Sequence, residues 1–211
     1  MIRVLLADDH GLVREGLRGL LAKAADIEVA AEAATGDEVL ARVKETAFDV
    51  ALLDLSMPGL SGIALIKRLK LEKPKLRILV LSMHGESQYA ARALKAGASG
   101  YLTKDSAAAQ LLGAIRKIAA GGVQISEAAA AQLIGAGGAA ETPHSALSDR
   151  EYEVLRRIVA GRSVTEIADA LNLSVKTVST HKARILQKLN LAGTAELVRY
   201  AIEQGLTDER A

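Results

Sequence analysis

The sequence predicts an α/β domain built on a doubly wound five-stranded parallel sheet, followed by a small all-α domain of four helices. Three observations carry this expectation. Over the first 120 residues, apolar stretches alternate five times with amphipathic helical patterns, and parallel neighbours need such crossover connections. The runs VLL, VALL and ILVL are nearly continuous in apolar residues, as in strands covered on both faces. From Leu147 onward the pattern is helical throughout.

The strands are predicted at Ile2–Ala7, Glu28–Ala33, Val50–Asp54, Ile78–Ser82 and Gly100–Leu102. Helices are expected between and after them, near Leu12–Ala24, Gly36–Glu45, Gly62–Leu71, Ser87–Ala96 and Ala107–Ala120. The next stretch differs. Gly121-Gly122 ends the fifth helix, Ser126–Ile134 could form a short Ala-rich helix, and Gly135–Pro143 has no apolar period and reads as a flexible linker. The expected division is a first domain over 1–121, a linker over 122–146 and a second domain over 147–211. In that second domain Ser148, with Glu151 three residues later, signals a capping box. Leu155, Ile158 and Val159 supply the apolar face and Gly161 the stop. A second helix spans Val164–Leu171. After the turn Asn172–Ser174, a third runs over Val175–Leu189 with Ser174 as its cap, and Thr194–Gln204 makes a fourth.

Composition narrows the function. Of 211 residues, 50% are hydrophobic and 25% charged, which excludes a disordered chain or a coiled coil. Aromatics make up 2%, with no Trp and Phe48 as the only Phe. The core is therefore expected from Ala, Val, Leu and Ile, and single-strand nucleic-acid modules, which stack bases on aromatic platforms, are disfavoured. The absence of Cys removes disulfides, thiolate nucleophiles and Cys-ligated zinc, and fits a reducing compartment. Apolar runs fall far short of the ~20 residues of a membrane span, and acids arrive at Asp8 before a secretory pattern can form. A cytoplasmic location is expected.

Net charge is +2, spread as 17 basic and 14 acidic side chains over 1–120, none and two over 121–146, and ten and nine over 147–211. Neither half is strongly basic. Asn172–Asn190, however, holds Lys176, Lys182, Arg184 and Lys188 with no acid, a basic stripe on a predicted helix.

In a doubly wound sheet, ligands bind at the carboxyl ends of the strands. There Asp8 and Asp9 close the first strand, Asp54 the third and Ser82 the fourth, and Lys104 lies two residues past the fifth. Any one Asp could simply cap the helix that follows it, and a lone Lys is ordinarily solvated. All together, on successive strand ends, they point to one crevice where carboxylates crowd. Carboxylates so placed repel unless a cation intervenes, and oxygen-only ligands suit a hard ion such as Mg²⁺. A carboxylate beside such an ion and a Lys can act as a nucleophile toward phosphorus. His10, His84, His144 and His181 show no ligand spacing and are expected in surface or capping roles.

On LLADDH, LLDLSMPGLSG, LVLS and GYLTK, residues 1 to about 121 resemble the receiver domain of two-component response regulators, which has a flavodoxin-like fold. The resemblance implies Asp54 as phosphoryl acceptor. It implies Mg²⁺ bound by Asp9 directly, by Asp8 largely through water, by Asp54 and by the Ser56 main-chain carbonyl. Ser82 would bond the arriving phosphoryl group, Lys104 would pair with its oxygens, and Tyr101 would be the switch aromatic. Ser82 stands where Thr is commoner, and Asp105 where many receivers have Pro. A histidine kinase would be the phosphodonor.

Val164–Lys182 has the layout of a helix-turn-helix. Ile167, Ala168 and Leu171 face inward, Leu173 fills the turn, and Val178, Ile185 and Leu189 anchor the second helix. Lys176, Ser179, Thr180, Ala183 and Gln187 share the opposite face, which a recognition helix turns toward the major groove. On spacing alone this could also be a protein-interaction module. The stretch LSDREYEVLRRIVAGRSVTEIADALNLSVKTVSTHKARILQKLNL resembles the LuxR-type DNA-binding domain over about 147–208. Receiver plus this domain is the NarL/FixJ arrangement. The resemblance implies a DNA face comprising Lys176, Thr177, Ser179, Thr180, Lys182, Ala183 and Arg184, with Lys188 from the basic stripe, while Glu151 caps. Ala183 could touch only a thymine methyl.

The resulting expectation is a phosphorylation-controlled regulator that binds promoter DNA as a dimer, with RNA polymerase among the partners the family allows. It would be no enzyme beyond assisting its own phosphorylation and dephosphorylation. The alternatives are a regulator that ignores phosphorylation, a dehalogenase-type phosphatase and a nucleotide-binding enzyme. The phosphatase lacks its second carboxylate, Ser56 standing at that position, and neither G-x-G-x-x-G nor a Walker loop follows the first strand.

Overall fold

Five parallel strands in the order β2-β1-β3-β4-β5 form the sheet in a computed structural model that describes residues 1–60, 62–82, 87–126, 129–130 and 143–206. They are β1 (Ile2–Ala7), β2 (Ile27–Ala33), β3 (Val50–Asp54), β4 (Arg77–Ser82) and β5 (Gly100–Thr103). Helices α1 (Gly11–Leu21), α2 (Gly36–Glu45), α3 (Gly62–Glu72), α4 (Ser87–Lys95) and α5 (Lys104–Ala119) alternate with them.

Because side chains alternate along a strand, each strand feeds two cores. Val4, Leu6, Leu52, Leu79 and Leu81 pack with Leu21 of α1 and Leu111, Ile115 and Ile118 of α5. Leu5, Leu53, Ile78 and Val80 point the other way, and buried Val39 and Val43 of α2 and Ile66 and Leu69 of α3 supply the apolar surface of that second layer. Both faces of β3 are buried along its whole length, which explains the unbroken VALL run.

Two close backbone arrangements support the strand-end loops. Gly36 opens α2 so near Leu60 that a Cβ would collide with its carbonyl, and its N–H donates to the Pro58 carbonyl at 3.2 Å. Gly59 and Gly62 adopt positive φ in the turn after Asp54, a conformation glycine takes without steric cost.

The fifth strand runs one residue further than expected, because Thr103 still pairs opposite Ser82. The chain then passes directly into α5, so Lys104 is the first residue of a helix rather than a loop residue. Beyond α5 the chain stays on the sheet edge. Tyr101 donates its N–H to the Gln124 carbonyl at 2.8 Å, and Gln124 donates to the Ser99 carbonyl at 3.1 Å. Residues 129 and 130 are helical, but most of the expected Ser126–Ile134 helix and the glycine stretch Gly135–Gly138 lie outside the described residues.

The chain divides into two units, Met1–Ile134 and Gly135–Ala211. Among its described residues the second contains a 3-10 turn at Pro143–Ala146 and four helices, α6 (Asp149–Val159), α7 (Val164–Ala170), α8 (Val175–Leu189) and α9 (Thr194–Glu203). Its core joins Tyr152, Val154, Leu155 and Ile158 of α6 to Ile167, Ala168, Val178, Ile185, Leu189, Leu197 and Ala201. Val159, expected on the apolar face, is only half-buried as the last residue of α6. Of the five aromatics, Tyr152, Tyr89 and Tyr101 are buried in cores, while Phe48 and Tyr200 are half-buried. His144, expected at the surface, is buried too, and shares a 2.7 Å hydrogen bond with the Tyr200 hydroxyl.

Candidate functional site

The loop after β1 and the end of β3 lie side by side because these strands are neighbours in the sheet, in register up to Ala7 opposite Leu53. That register brings Asp8 and Asp54 into the same buried spot, 1% and 3% exposed. Lys104, delivered by β5 and the start of α5, places Nζ 2.6 Å from Asp8 Oδ2 and 2.8 Å from Asp54 Oδ2. Burial pushes the Lys104 ammonium down, but hydrogen bonds and charge from Asp54 and Asp8 outweigh this and hold it above its ordinary value. The group is a fixed cation.

Asp54 Oδ1 accepts the Ser56 N–H at 3.0 Å, a local turn that orients the carboxylate. Asp9 is more exposed. Ligand atoms of Asp8, Asp9, His10 and Asp54 all lie within 4.8 Å of one another. Three carboxylates set against one ammonium leave excess negative charge, and their oxygens fit a hard divalent cation. Ser82 closes β4 one residue beyond Leu81, the register partner of Asp54, and is 3% exposed. Tyr101 is buried in β5, its register partner Val80.

Sequence reasoning missed two residues here. His10, expected in a surface or capping role, is exposed at the N-cap of α1, but it also places Nδ1 2.9 Å from Asp9 Oδ1 and donates its main-chain N–H to Asp8 Oδ1 at 2.8 Å. Arg14 donates to the Asp8 main-chain carbonyl at 2.6 Å. The DDH run pointed at the first, but no spacing rule pointed at the second.

In the second unit, α8 is set by its caps. The turn before it turns on Asn172 at φ 50, a left-handed conformation that Asn tolerates. Ser174 then accepts the Thr177 N–H at 3.0 Å. Ser163 and Glu166 form a capping box on α7 that the S-x-x-E pattern offered and the sequence reading passed over, while Ser148 and Glu151 form the expected one on α6. With Val178, Ile185 and Leu189 buried, Lys176, Ser179, Thr180, Ala183, Arg184 and Gln187 stand exposed, and Thr177 and Lys182 lie half-buried beside them. Thr180 donates back to the Lys176 carbonyl at 2.9 Å.

Lys188 departs from the expected DNA-facing set. At 100° per residue it sits about a third of a turn from the centre of the exposed face. Its ammonium is committed to Glu151 Oε2 at 2.6 Å and the Ala146 carbonyl at 3.2 Å. Burial pushes the Glu151 carboxyl up, yet the hydrogen bonds from Lys188 and Ser148 hold it below its ordinary value.

Comparison with known proteins matches both domains to known families. Residues 4–116 match the response regulator receiver domain family, and residues 145–201 match the luxR family of bacterial regulatory proteins. The response regulator UvrY of Escherichia coli strain K12 is 37% identical over 209 residues, covering 98% of this chain and 96% of its own. GacA of Pseudomonas viridiflava is 36% identical over 214 residues and covers both chains fully. A structure of the Salmonella typhimurium response regulator RcsB is similar with TM-score 0.77 and 31% identity, covering 96% and 97% of the chains. RcsB from Salmonella enterica serovar Typhimurium, bound to promoter P1flhDC in the presence of the phosphomimetic BeF3-, aligns with TM-score 0.71 and 32% identity over 94% and 97%. With a receiver domain followed by a LuxR-type helix-turn-helix, this chain belongs to the two-component response regulators of the NarL/FixJ type.

Proposed function

We propose that this protein is a phosphorylation-controlled transcription regulator that accepts a phosphoryl group on Asp54 from a histidine kinase and binds promoter DNA as a dimer. One observation carries the reading: a buried Asp54 carboxylate at a strand end, held 2.8 Å from Lys104 and beside Asp8 and Asp9. A carboxylate oxygen of Asp54 attacks phosphorus while the donor's bond to phosphorus breaks, giving an acyl phosphate. Lys104 and the Ser82 hydroxyl then bind the oxygens of the new group, and Tyr101 reports the change to the surface. Mg²⁺ fits the oxygen donors of Asp8, Asp9 and Asp54 with the Ser56 carbonyl, and when bound would offset charge on the transferring oxygens. The chain turns over no separate substrate. It assists only its own phosphorylation and dephosphorylation.

The exposed face of α8 enters the major groove. Lys176 and the Ser and Thr hydroxyls near its N-terminus reach phosphate there. One such helix makes few base contacts, so two copies on paired half-sites supply specificity. The RcsB structure with a promoter and a phosphomimetic supports promoter binding for a similar chain, and RNA polymerase at the promoter is the downstream partner. Phosphorylation acts as a population shift toward the DNA-competent state.

Intact mass after incubation with a small phosphodonor and Mg²⁺, compared with Asp54→Ala, tests the proposal. One phosphoryl increment is expected, absent from the variant and lost with chelator, with tighter DNA binding in the phosphorylated form. An increment that survives in Asp54→Ala would refute the site. Equal DNA affinity in both forms would refute the control.

A further inference from the structure

We infer that Arg14 is a positioning residue for the acid pair, acting through the main chain of Asp8 on the cation-binding geometry of Asp9. The inference rests on reading the cluster as a cation site. All four polar groups of Asp8 are held. Its N–H donates to the Ala33 carbonyl at 3.1 Å, Oδ1 accepts from the His10 N–H, Oδ2 accepts from Lys104, and its carbonyl accepts from Arg14 at 2.6 Å. That last bond stands out because β1 has already left its ladder with β2, whose register ends at Ala7 opposite Ala33. No strand neighbour on that side is in register to pair the carbonyl, and a buried carbonyl without a partner is costly. Arg14 supplies the partner from the first turns of α1.

The guanidinium is itself anchored. Its Nε lies 3.3 Å from Glu32 of β2, it is 23% exposed, and Glu32 also receives Arg18 at 3.4 Å. Arg14 therefore ties β1, β2 and α1 together at one peptide group. The Asp8–Asp9 peptide plane fixes where the Asp9 Cα departs, and hence where its carboxylate meets Asp54. Partners of this kind, one shell out from the ligands, set metal affinity.

Charge and position predict opposite outcomes, which makes the role decidable. A cation near the cluster repels a second cation, so if Arg14 acted only through its charge, removing it would tighten Mg²⁺ binding. If it positions Asp9, removing it weakens binding.

The full chain is titrated with Mg²⁺ by calorimetry without phosphodonor, as wild type, Arg14→Met, Arg14→Lys and Glu32→Gln. It is then phosphorylated with acetyl phosphate across the same Mg²⁺ range. Arg14→Met is expected to weaken Mg²⁺ about tenfold, with a slowed rate at low Mg²⁺ that recovers at saturation. Arg14→Lys should regain part of the affinity, and Glu32→Gln should lose a smaller part. If Arg14→Met does not fold, the other two variants carry the test. Mg²⁺ binding in Arg14→Met as tight as in wild type, or tighter, overturns the inference, as does a rate deficit that saturating Mg²⁺ leaves in place. A wild type that binds Mg²⁺ but takes no phosphoryl group overturns the proposed function, while the titration still decides the role of Arg14. A wild type that binds no Mg²⁺ overturns both.

Discussion

Lys188 and Glu151 are bonded at 2.6 Å, so a residue from the basic stripe of α8 is joined to the cap of α6 and serves the fold of the second unit. The same ammonium also takes the Ala146 carbonyl, which fastens the chain just ahead of α6. Lys188→Met should cost about 1–2 kcal/mol, toward the low end for a charged hydrogen bond because the ammonium is 39% exposed. Thermal unfolding of the full chain reads this.

DNA binding separates the two lysines. Lys176→Ala should weaken binding across sequences and reduce the slope of log affinity against log salt by about 1. Lys188→Met should leave that slope unchanged. An equal fall in both would place Lys188 on the DNA.

Asp26 and Arg116 form a bidentate pair, at 2.8 and 2.7 Å, between the chain ahead of β2 and α5. The Arg116 hydrogen bonds lower the Asp26 carboxyl from 3.8 to about 2. A group lowered on folding stabilises fully above its unfolded value and loses that contribution as pH falls through the folded one. The stability difference between wild type and Asp26→Asn should therefore be flat from pH 7 to about 5 and shrink from about 4 toward 2. Chemical denaturation at stepped pH measures it, and a difference that grows on acidification would contradict the pairing.

Removing Lys104 leaves Asp8 and Asp54 buried without their shared cation. Lys104→Met should lower stability by about 3 kcal/mol in the absence of divalent ions. Added Mg²⁺ should raise the melting temperature more in the variant than in wild type, because a bound cation stabilises by mass action. A chelator should reverse that gain.

Gly36 is held against the Leu60 carbonyl with no room for a side chain. Gly36→Ala should cost about 3 kcal/mol through overpacking and displace the turn that follows Asp54. A fall in Mg²⁺ affinity alongside the lowered melting temperature would register both effects.

Much of this molecule was legible in order along the chain. Strand runs such as VALL and ILVL, the five-fold alternation and the capping signal at Ser148 and Glu151 are local patterns, and local patterns survive folding because hydrogen bonding and side-chain period act over a few residues. Strand ends could be placed to within a residue or two. The convergence of Asp8, Asp54 and Lys104 also followed, since a doubly wound sheet brings its carboxyl ends to one crevice.

Lys188 shows where that reading stops. Charge alone put it with the basic stripe, but which neighbour claims its ammonium depends on Glu151, 37 residues away in sequence. Arg14 shows the same limit, since the carbonyl it holds lies just past the end of the β1–β2 register, which depends on segments far apart in the chain. His144 is buried because Tyr152 and Tyr200 close around it. By itself, then, the sequence determined the elements, their class and the chemical types gathered at the strand ends, because these depend on short-range period and on topology. Only the tertiary structure decided which charged groups pair with one another and which main-chain atoms need a side-chain partner, because those depend on distances between segments far apart in the chain.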